Sequence, residues 1–196
     1  MALMPCFEPG QAHAEGLIIG RLLAGYGEIE LEMCACLIAV ERSGYDVPIR
    51  AIFTDRSAEK RISVGRKALR QSFAKAKLTA DLTEALADME WCRQIRNQYS
   101  HCHWYWTAKE GLCFINLEEL AKQPTTILSL TANRHPIDVP LLQQQEEYFW
   151  YVKQCFKHLG DAYKAWDQAQ MRGGRRGRSI SVYPKPPRIA QPPKHK

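Results

Sequence analysis

Apolar residues recur every three to four positions through four long stretches of the chain, and this spacing predicts four long helices. The predicted helices cover about residues 13–40, 57–77, 81–101 and 139–170. Thr54 or Ser57 is placed to cap the second helix and Asp138 to cap the fourth, because side-chain oxygens accept hydrogen bonds from the N–H groups of a first turn. The sequence therefore predicts a fold built mainly from helices.

The spacing changes between the third and fourth helices. Residues 103–107 and 112–117 flank a short turn and predict a β-hairpin, and a further short strand is expected at 126–131. The aromatic run Trp104 to Trp106 has a side-chain type that stacks on nucleic-acid bases. We favour the other interpretation, in which it covers a sheet face against a helix.

These elements predict an all-α fold: an up-and-down bundle of about four long helices, with a small β-hairpin insertion after the third. Residues 1–12 are expected to be an irregular lead-in, and residues 13–170 to form the bundle domain. Residues 171–196 are rich in glycine, proline and positive charge, which predicts a disordered, flexible tail.

Composition limits the class of protein. The content of 45% hydrophobic and 24% charged residues is ordinary for a globular domain. We expect a cytoplasmic protein with no membrane contact, since the sequence contains neither a signal-peptide pattern nor a long apolar run. The seven cysteines are odd in number and form no CxxC pair, which favours buried free thiols over disulfides or a zinc site.

The positive charge is concentrated at the C-terminal end. Eight of the 27 basic residues lie after residue 171, where there is no acidic residue, which leaves 19 basic and 21 acidic residues in the body. The tail could therefore add non-specific RNA affinity or serve only as a solubilising end.

The end of the third predicted helix carries the sequence Arg96-Asn97-Gln98-Tyr99-Ser100-His101. On a helix, Asn97 and His101 lie one turn apart on one face, and Arg96 lies on the adjoining face. The three side chains are therefore expected to meet around one anion. Arg96 also continues the apolar stripe of its helix, so it needs an acidic partner or an opening.

Glu30 interrupts the apolar stripe of the first helix. It is the acid that we expect to pair with Arg96, either as a structural ion pair or as part of a site. The second helix carries a run of basic residues, and Arg66, Arg70 and Lys77, with Arg93 from the third helix, are candidate RNA contacts. A solvated charged face is the alternative for this run.

A histidine and an arginine together can cleave RNA. Histidine can take a proton from a hydroxyl or return one near neutral pH, and arginine can hold a phosphate through its planar donors. RNA supplies the 2′-hydroxyl as its own nucleophile, so we expect neither a metal nor another cofactor. The sequence contains no Walker-type loop, GxSxG elbow or HExxH motif.

An RNxxxH motif near the end of the third helix of an all-helical domain resembles the HEPN superfamily (higher eukaryotes and prokaryotes nucleotide-binding domain). The resemblance spans roughly residues 13–170 and is carried by six residues, Arg96 to His101. It implies a homodimer with the two motifs facing each other, and in many members a metal-independent ribonuclease of toxin–antitoxin or anti-phage systems. Arg96 would then bind the scissile phosphate, His101 would transfer the proton, and Asn97 would orient one of them.

Two functions follow from this resemblance. We favour a metal-independent endoribonuclease with RNA as substrate and an antitoxin or another protein as partner. The alternative is a catalytically inactive HEPN-like module that binds a nucleotide or a protein partner through the same cleft. In a purely structural interpretation of the motif, Arg96 pairs with Glu30 and His101 caps the end of the helix.

Overall fold

A computed structural model describes residues 4–5, 12–122, 124, 130, 133–171 and 181–194 of the chain. The described residues form six helices, which are α1 (His13–Glu41), α2 (Asp46–Phe53), α3 (Ala58–Lys75), α4 (Thr79–Ser100), α5 (Leu117–Ala121) and α6 (Val139–Met171). The mostly helical fold and its four long helices, α1, α3, α4 and α6, are as predicted. The short α2 was not predicted, because Gly44 and Pro48 suggest a loop. Pro48 lies in the first turn of α2, where a helix does not need its N–H group.

Two of the predicted helix caps are confirmed. The Ser57 side chain accepts a hydrogen bond from the backbone N–H of Lys60 at 3.4 Å, and Asp138 accepts one from Leu141 at 3.1 Å. Thr54, the other candidate cap, instead follows α2 and donates its hydroxyl to the carbonyl of Arg50. The beginnings of α3 and α6 are therefore fixed by side chains that the sequence identifies.

α1 and α6 run side by side in the same direction. Three ion pairs join them, each between residues 125 positions apart: Arg21 with Glu146, Glu28 with Lys153, and Arg42 with Asp167. Because the separation is constant, a residue further along α1 pairs with a residue equally further along α6, as in a parallel pair of helices. These two helices, from opposite ends of the sequence, form the central pair of the bundle.

α3 also follows the direction of α1. Arg61 lies beside Glu30, and four residues later Gly65 lies against Met33. A Cβ atom at Gly65 would lie 2.5 Å from the sulfur of Met33, so the absence of a side chain lets the two helices approach closely.

α4 runs against α6. Tyr99, near the end of α4, donates its hydroxyl to Gln145 near the start of α6, whereas Ala85 lies beside Leu159 further along α6. The predicted up-and-down order is therefore wrong, since α1, α3 and α6 share one direction and α4 opposes them. The reason is that the connection through α2 brings the chain back along α1, so α3 runs beside α1 and parallel to it.

The predicted hairpin is confirmed as part of a small antiparallel sheet. Its strands are β1 (Met4–Pro5), β2 (Cys102–Thr107), β3 (Gly111–Asn116) and β4 (His135–Pro136), in that order across the sheet. Gly111 adopts a φ of 70° at the start of β3, which suits glycine at the end of a tight turn. The strand expected at 126–131 lies, except for Leu130, outside the described residues. Residues 4–5 pair with β2, so the lead-in contains one regular element.

Part of the C-terminal tail lies against the helices. Residues 181–194 form no helix or strand, yet they lie along α4 and α6 and hydrogen-bond to both. Body side chains bind carbonyl oxygens and basic groups of this segment, and the flexibility of the tail stays a prediction. Residues 172–180 and 195–196 lie outside the described residues.

Candidate active site

Arg96 and Asn97 lie next to each other in the last two turns of α4. Both are half-buried, and the Nη1 atom of Arg96 donates a hydrogen bond to the side-chain oxygen of Asn97 at 3.1 Å. The predicted contact between the arginine and the amide is therefore present. This bond fixes the direction of the guanidinium while leaving its other N–H donors for further partners.

His101 is the residue at which α4 ends. Its backbone leaves the helical conformation, with φ at −114° and ψ at 24°. The side chain is 49% exposed, and its Nδ1 atom lies 3.8 Å from Oε1 of Glu118 on α5. A carboxylate next to Nδ1 leaves Nε2, on the other edge of the ring, as the nitrogen that faces away from this contact.

Glu118 is a site neighbour that the sequence does not indicate. It lies two residues after Asn116, the last residue of the hairpin, whose side chain caps α5 by accepting hydrogen bonds from the N–H groups of Glu118 and Glu119. The pairing of Cys102 with Asn116 in the sheet brings α5 back to the end of α4. The hairpin thus positions an acidic side chain beside His101.

Glu30 pairs with a different arginine from the one predicted. Its carboxylate is buried, and Oε1 lies 2.8 Å from Nε of Arg61 on α3. The expected direct pair with Arg96 is therefore wrong, because the cation in contact with the Glu30 carboxylate is Arg61 of α3. Arg96 still acts on Glu30 through its charge, which favours the ionised carboxylate.

The buried position of Glu30 disfavours the ionised form of its carboxyl group. Burial raises the pKa of Glu30, and the positive charges of Arg61 and Arg96 only partly offset this effect. The contact of Oε1 with Nε is close in distance but lacks the angle of a good hydrogen bond. Arg61 is also held by the ring of Phe53, whose centroid is 5.6 Å from the guanidinium carbon.

Tyr26, one turn before Glu30, adds a further buried polar group. Its hydroxyl has no hydrogen-bond partner among the described residues. Burial, with the negative charge of Glu30 as the second cause, raises the pKa of this phenol. The interior between α1, α3 and α4 therefore holds a polar cluster of Tyr26, Glu30, Arg61 and Arg96.

The candidate RNA contacts divide into two groups. Arg66, Arg70 and Lys77 are exposed on α3 or at its end, where they are accessible to a polyanion. Arg93 is instead held within α4 by two hydrogen bonds to Glu90, at 2.8 and 2.5 Å. The pKa of Glu90 is lowered, first by Arg93, so the negative charge needed for this pair is stabilised.

The aromatic run lies mainly against the core. Tyr105 is buried, and Trp104 packs near Tyr99 and Phe114, with ring centroids 5.9 and 5.6 Å away. The favoured interpretation, in which the run covers a sheet face against a helix, is confirmed for these two residues. The free thiols are also confirmed for the six cysteines that the structure describes, which form no disulfide with one another.

No family model, curated protein or solved structure matched this chain. Among the described helices, none is both long enough and apolar enough to cross a membrane. Among the residues that the structure describes, no group of three or more histidine, cysteine, aspartate or glutamate side chains is arranged to hold a metal ion.

Proposed function

We propose that this protein is a metal-independent endoribonuclease of the HEPN type, acting as a homodimer in a toxin or anti-phage defence system. The proposal is supported by one arrangement above all. An arginine hydrogen-bonded to the adjacent asparagine lies five residues before an exposed histidine whose Nδ1 faces a carboxylate. This set supplies a phosphate ligand and a proton-transfer group at the same end of α4.

In the proposed reaction, Arg96 holds the scissile phosphate and stabilises the charge that develops on its oxygens. His101 takes the proton from the 2′-hydroxyl through Nε2 as the 2′-oxygen attacks phosphorus. The bond from phosphorus to the 5′-oxygen then breaks, and the products are a 2′,3′-cyclic phosphate and a 5′-hydroxyl. In a dimer, the partner subunit's His101 can supply the proton that the leaving 5′-oxygen takes up.

A surface on α1 supports dimer formation. Five exposed residues of this helix are spaced alternately three and four positions apart, as on one face of a coiled coil. They are Leu17, Gly20, Ala24, Gly27 and Leu31. The two leucines are 60% and 50% exposed, and the small residues between them leave room for a second helix. We refer to this set as the α1 stripe.

The experiment is RNA cleavage by the purified chain in the presence of excess EDTA, compared with His101→Ala and Arg96→Ala. Loss of proton transfer should slow cleavage by about 10² to 10⁴ fold in the histidine variant. His103→Ala is the matched control, since His103 is also exposed but lies two residues further along on β2. Full activity in His101→Ala, or equal losses in the two histidine variants, would reject the site.

The inactive HEPN-like module is the second candidate, and it is favoured by the charges around the site. Glu118 places an exposed carboxylate beside His101, where a phosphate would be repelled. If no cleavage occurs while the chain still binds a nucleotide or a protein through this end of α4, this second function is the better description.

A further inference from the structure

The C-terminal segment lies in a groove whose features match its sequence. Asp88 of α4 is only 1% exposed, yet its carboxylate accepts hydrogen bonds from Arg188 and from Gln191 of the tail. Its only other hydrogen-bond partner among the described residues is the hydroxyl of Tyr148. A buried aspartate whose positive partner comes from the tail indicates a built site for a basic group.

Side chains of the groove also hydrogen-bond to the backbone of the tail. Trp91 donates its indole N–H to the carbonyl of Pro192, and Gln145 donates to the carbonyls of Pro193 and Lys194. Gln98 donates to Lys194 as well, at 2.9 Å. Prolines have no N–H group, so a site for a proline-rich chain can hydrogen-bond only to its carbonyls, and this groove supplies donors.

The spacing of the contacts is that of an extended proline helix. Lys185 pairs with Asp81, and Lys194 reaches Gln98, 17 residues further along α4. That span is about 25 Å along the helix, and the tail covers it in nine residues, or about 2.8 Å each, close to the rise of a polyproline II chain.

Aromatic side chains complete the groove. The Arg188 guanidinium lies over the ring of Tyr151, and the Lys194 ammonium lies 4.7 Å from the ring centroid of Trp91. Glu84 gives Arg188 a second acidic contact at 3.0 Å. Each basic residue of the segment therefore meets an acidic group, an aromatic ring or both, which gives preference for sequence as well as for shape.

We infer that the groove between α4 and α6 is a binding site for extended, proline-rich basic peptides, and that residues 181–194 are its resident ligand. The recognition features of the tail run from Lys185 to Lys194, and Arg188 binds the buried Asp88 carboxylate. Residues 172–180 connect this ligand covalently to α6. The groove can therefore hold the tail of its own chain or, by exchange, the tail of a second copy. This inference does not depend on the proposed nuclease activity.

The test uses the full chain carrying Arg188→Glu, which should release its own tail, and a fluorescent synthetic peptide of residues 181–194. The peptide should bind this variant with a measurable Kd and bind the unchanged chain at least about tenfold more weakly, because the tethered tail competes at high effective concentration. A peptide that itself carries Arg188→Glu is the matched control and should not bind. Circular dichroism checks that the variant chain is folded.

The inference is overturned if the folded Arg188→Glu chain does not bind the peptide, or binds the two peptides equally. The milder pair Arg188→Ala and Gln191→Ala serves the same purpose if the charge reversal disturbs folding. Light scattering separates the two sources of the ligand. With the α1-stripe dimer removed by Leu17→Lys and Leu31→Lys, a monomer both with and without Arg188→Glu indicates that the tail lies in the groove of its own chain, and a fall from dimer to monomer on Arg188→Glu indicates exchange between copies.

Discussion

Glu30 and Arg61 form a buried ion pair between α1 and α3, with Oε1 and Nε 2.8 Å apart. Removing one partner should leave the other charged group buried without compensation. We expect Arg61→Met to lower the free energy of unfolding by about 2 to 4 kcal/mol. Urea denaturation measures the change, and Arg56→Met, at an exposed position, should change stability by less than about 0.5 kcal/mol. The double variant Glu30→Gln, Arg61→Met should recover most of the loss, and a double variant as unstable as Arg61→Met would contradict this account.

Stability should also depend on pH through Glu30. Its pKa is raised in the folded state, so the folded protein holds this proton more strongly than the unfolded chain does. The stabilisation from the protonated carboxyl is therefore complete below the unfolded pKa and is lost as pH rises through the folded value. The difference in unfolding free energy between the unchanged chain and Glu30→Gln should thus shift against the unchanged chain from pH 4 to pH 8. A difference that stays constant, or shifts the other way, would show that burial does not dominate at Glu30.

Gly65 and Gly16 offer a matched pair of helix substitutions. Gly65→Ala should destabilise the fold by about 1 to 3 kcal/mol, because the new Cβ would press on the sulfur of Met33. Gly16→Ala should instead stabilise it by about 0.5 to 1 kcal/mol, since nothing lies within 4 Å of that position and alanine favours a helix. Thermal unfolding of both variants is the measurement. Equal effects of the two changes would mean that Met33 moves aside without loss.

Arg66 and Arg70 should contribute to RNA affinity through charge alone. Replacing both with alanine should weaken binding of a single-stranded RNA and reduce the slope of log K against log salt by about 1.4, or about 0.7 for each lost phosphate contact. Fluorescence anisotropy over a salt series measures this. The double variant Arg50→Ala, Lys109→Ala removes the same charge from α2 and from the hairpin turn, and an equal effect there would point to net charge rather than to the α3 face.

The α1 stripe should govern dimer formation. Leu17→Lys with Leu31→Lys places two positive charges on each copy of the stripe and should convert a dimer to a monomer, which light scattering would detect. Val47→Lys, at a similarly exposed position on α2, should leave the mass unchanged. A dimer that survives the double substitution would place the interface elsewhere.

The helices could be predicted well because their spacing and caps are local signals. The direction of α3 could not, since it depends on α2, whose sequence resembles a loop. The choice of Arg61 over Arg96 as the partner of Glu30 follows from that direction. Helix periodicity shows which side chains turn inward but not which helix lies opposite them.

The site was predicted in part for the same reason. Arg96, Asn97 and His101 lie within six residues, so their proximity needs only a helix. Glu118 lies beside His101 only because the β2–β3 hairpin brings α5 next to the end of α4, and no local sequence pattern predicts that contact. The contacts of the tail could not be predicted because its glycine and proline content is typical of disorder, whereas the residues that bind it, such as Asp88 and Gln145, are scattered over two helices.

The parallel pairing of α1 with α6 has a consequence for biosynthesis. The buried face of α1 is covered by a helix that begins more than a hundred residues later, and the Cys36 thiol reaches the carbonyl of Phe156. During translation, the apolar face of α1 therefore stays uncovered until α6 has left the ribosome. A nascent chain truncated before residue 139 should be captured by chaperones or aggregate, whereas one that includes all of α6 can close the bundle.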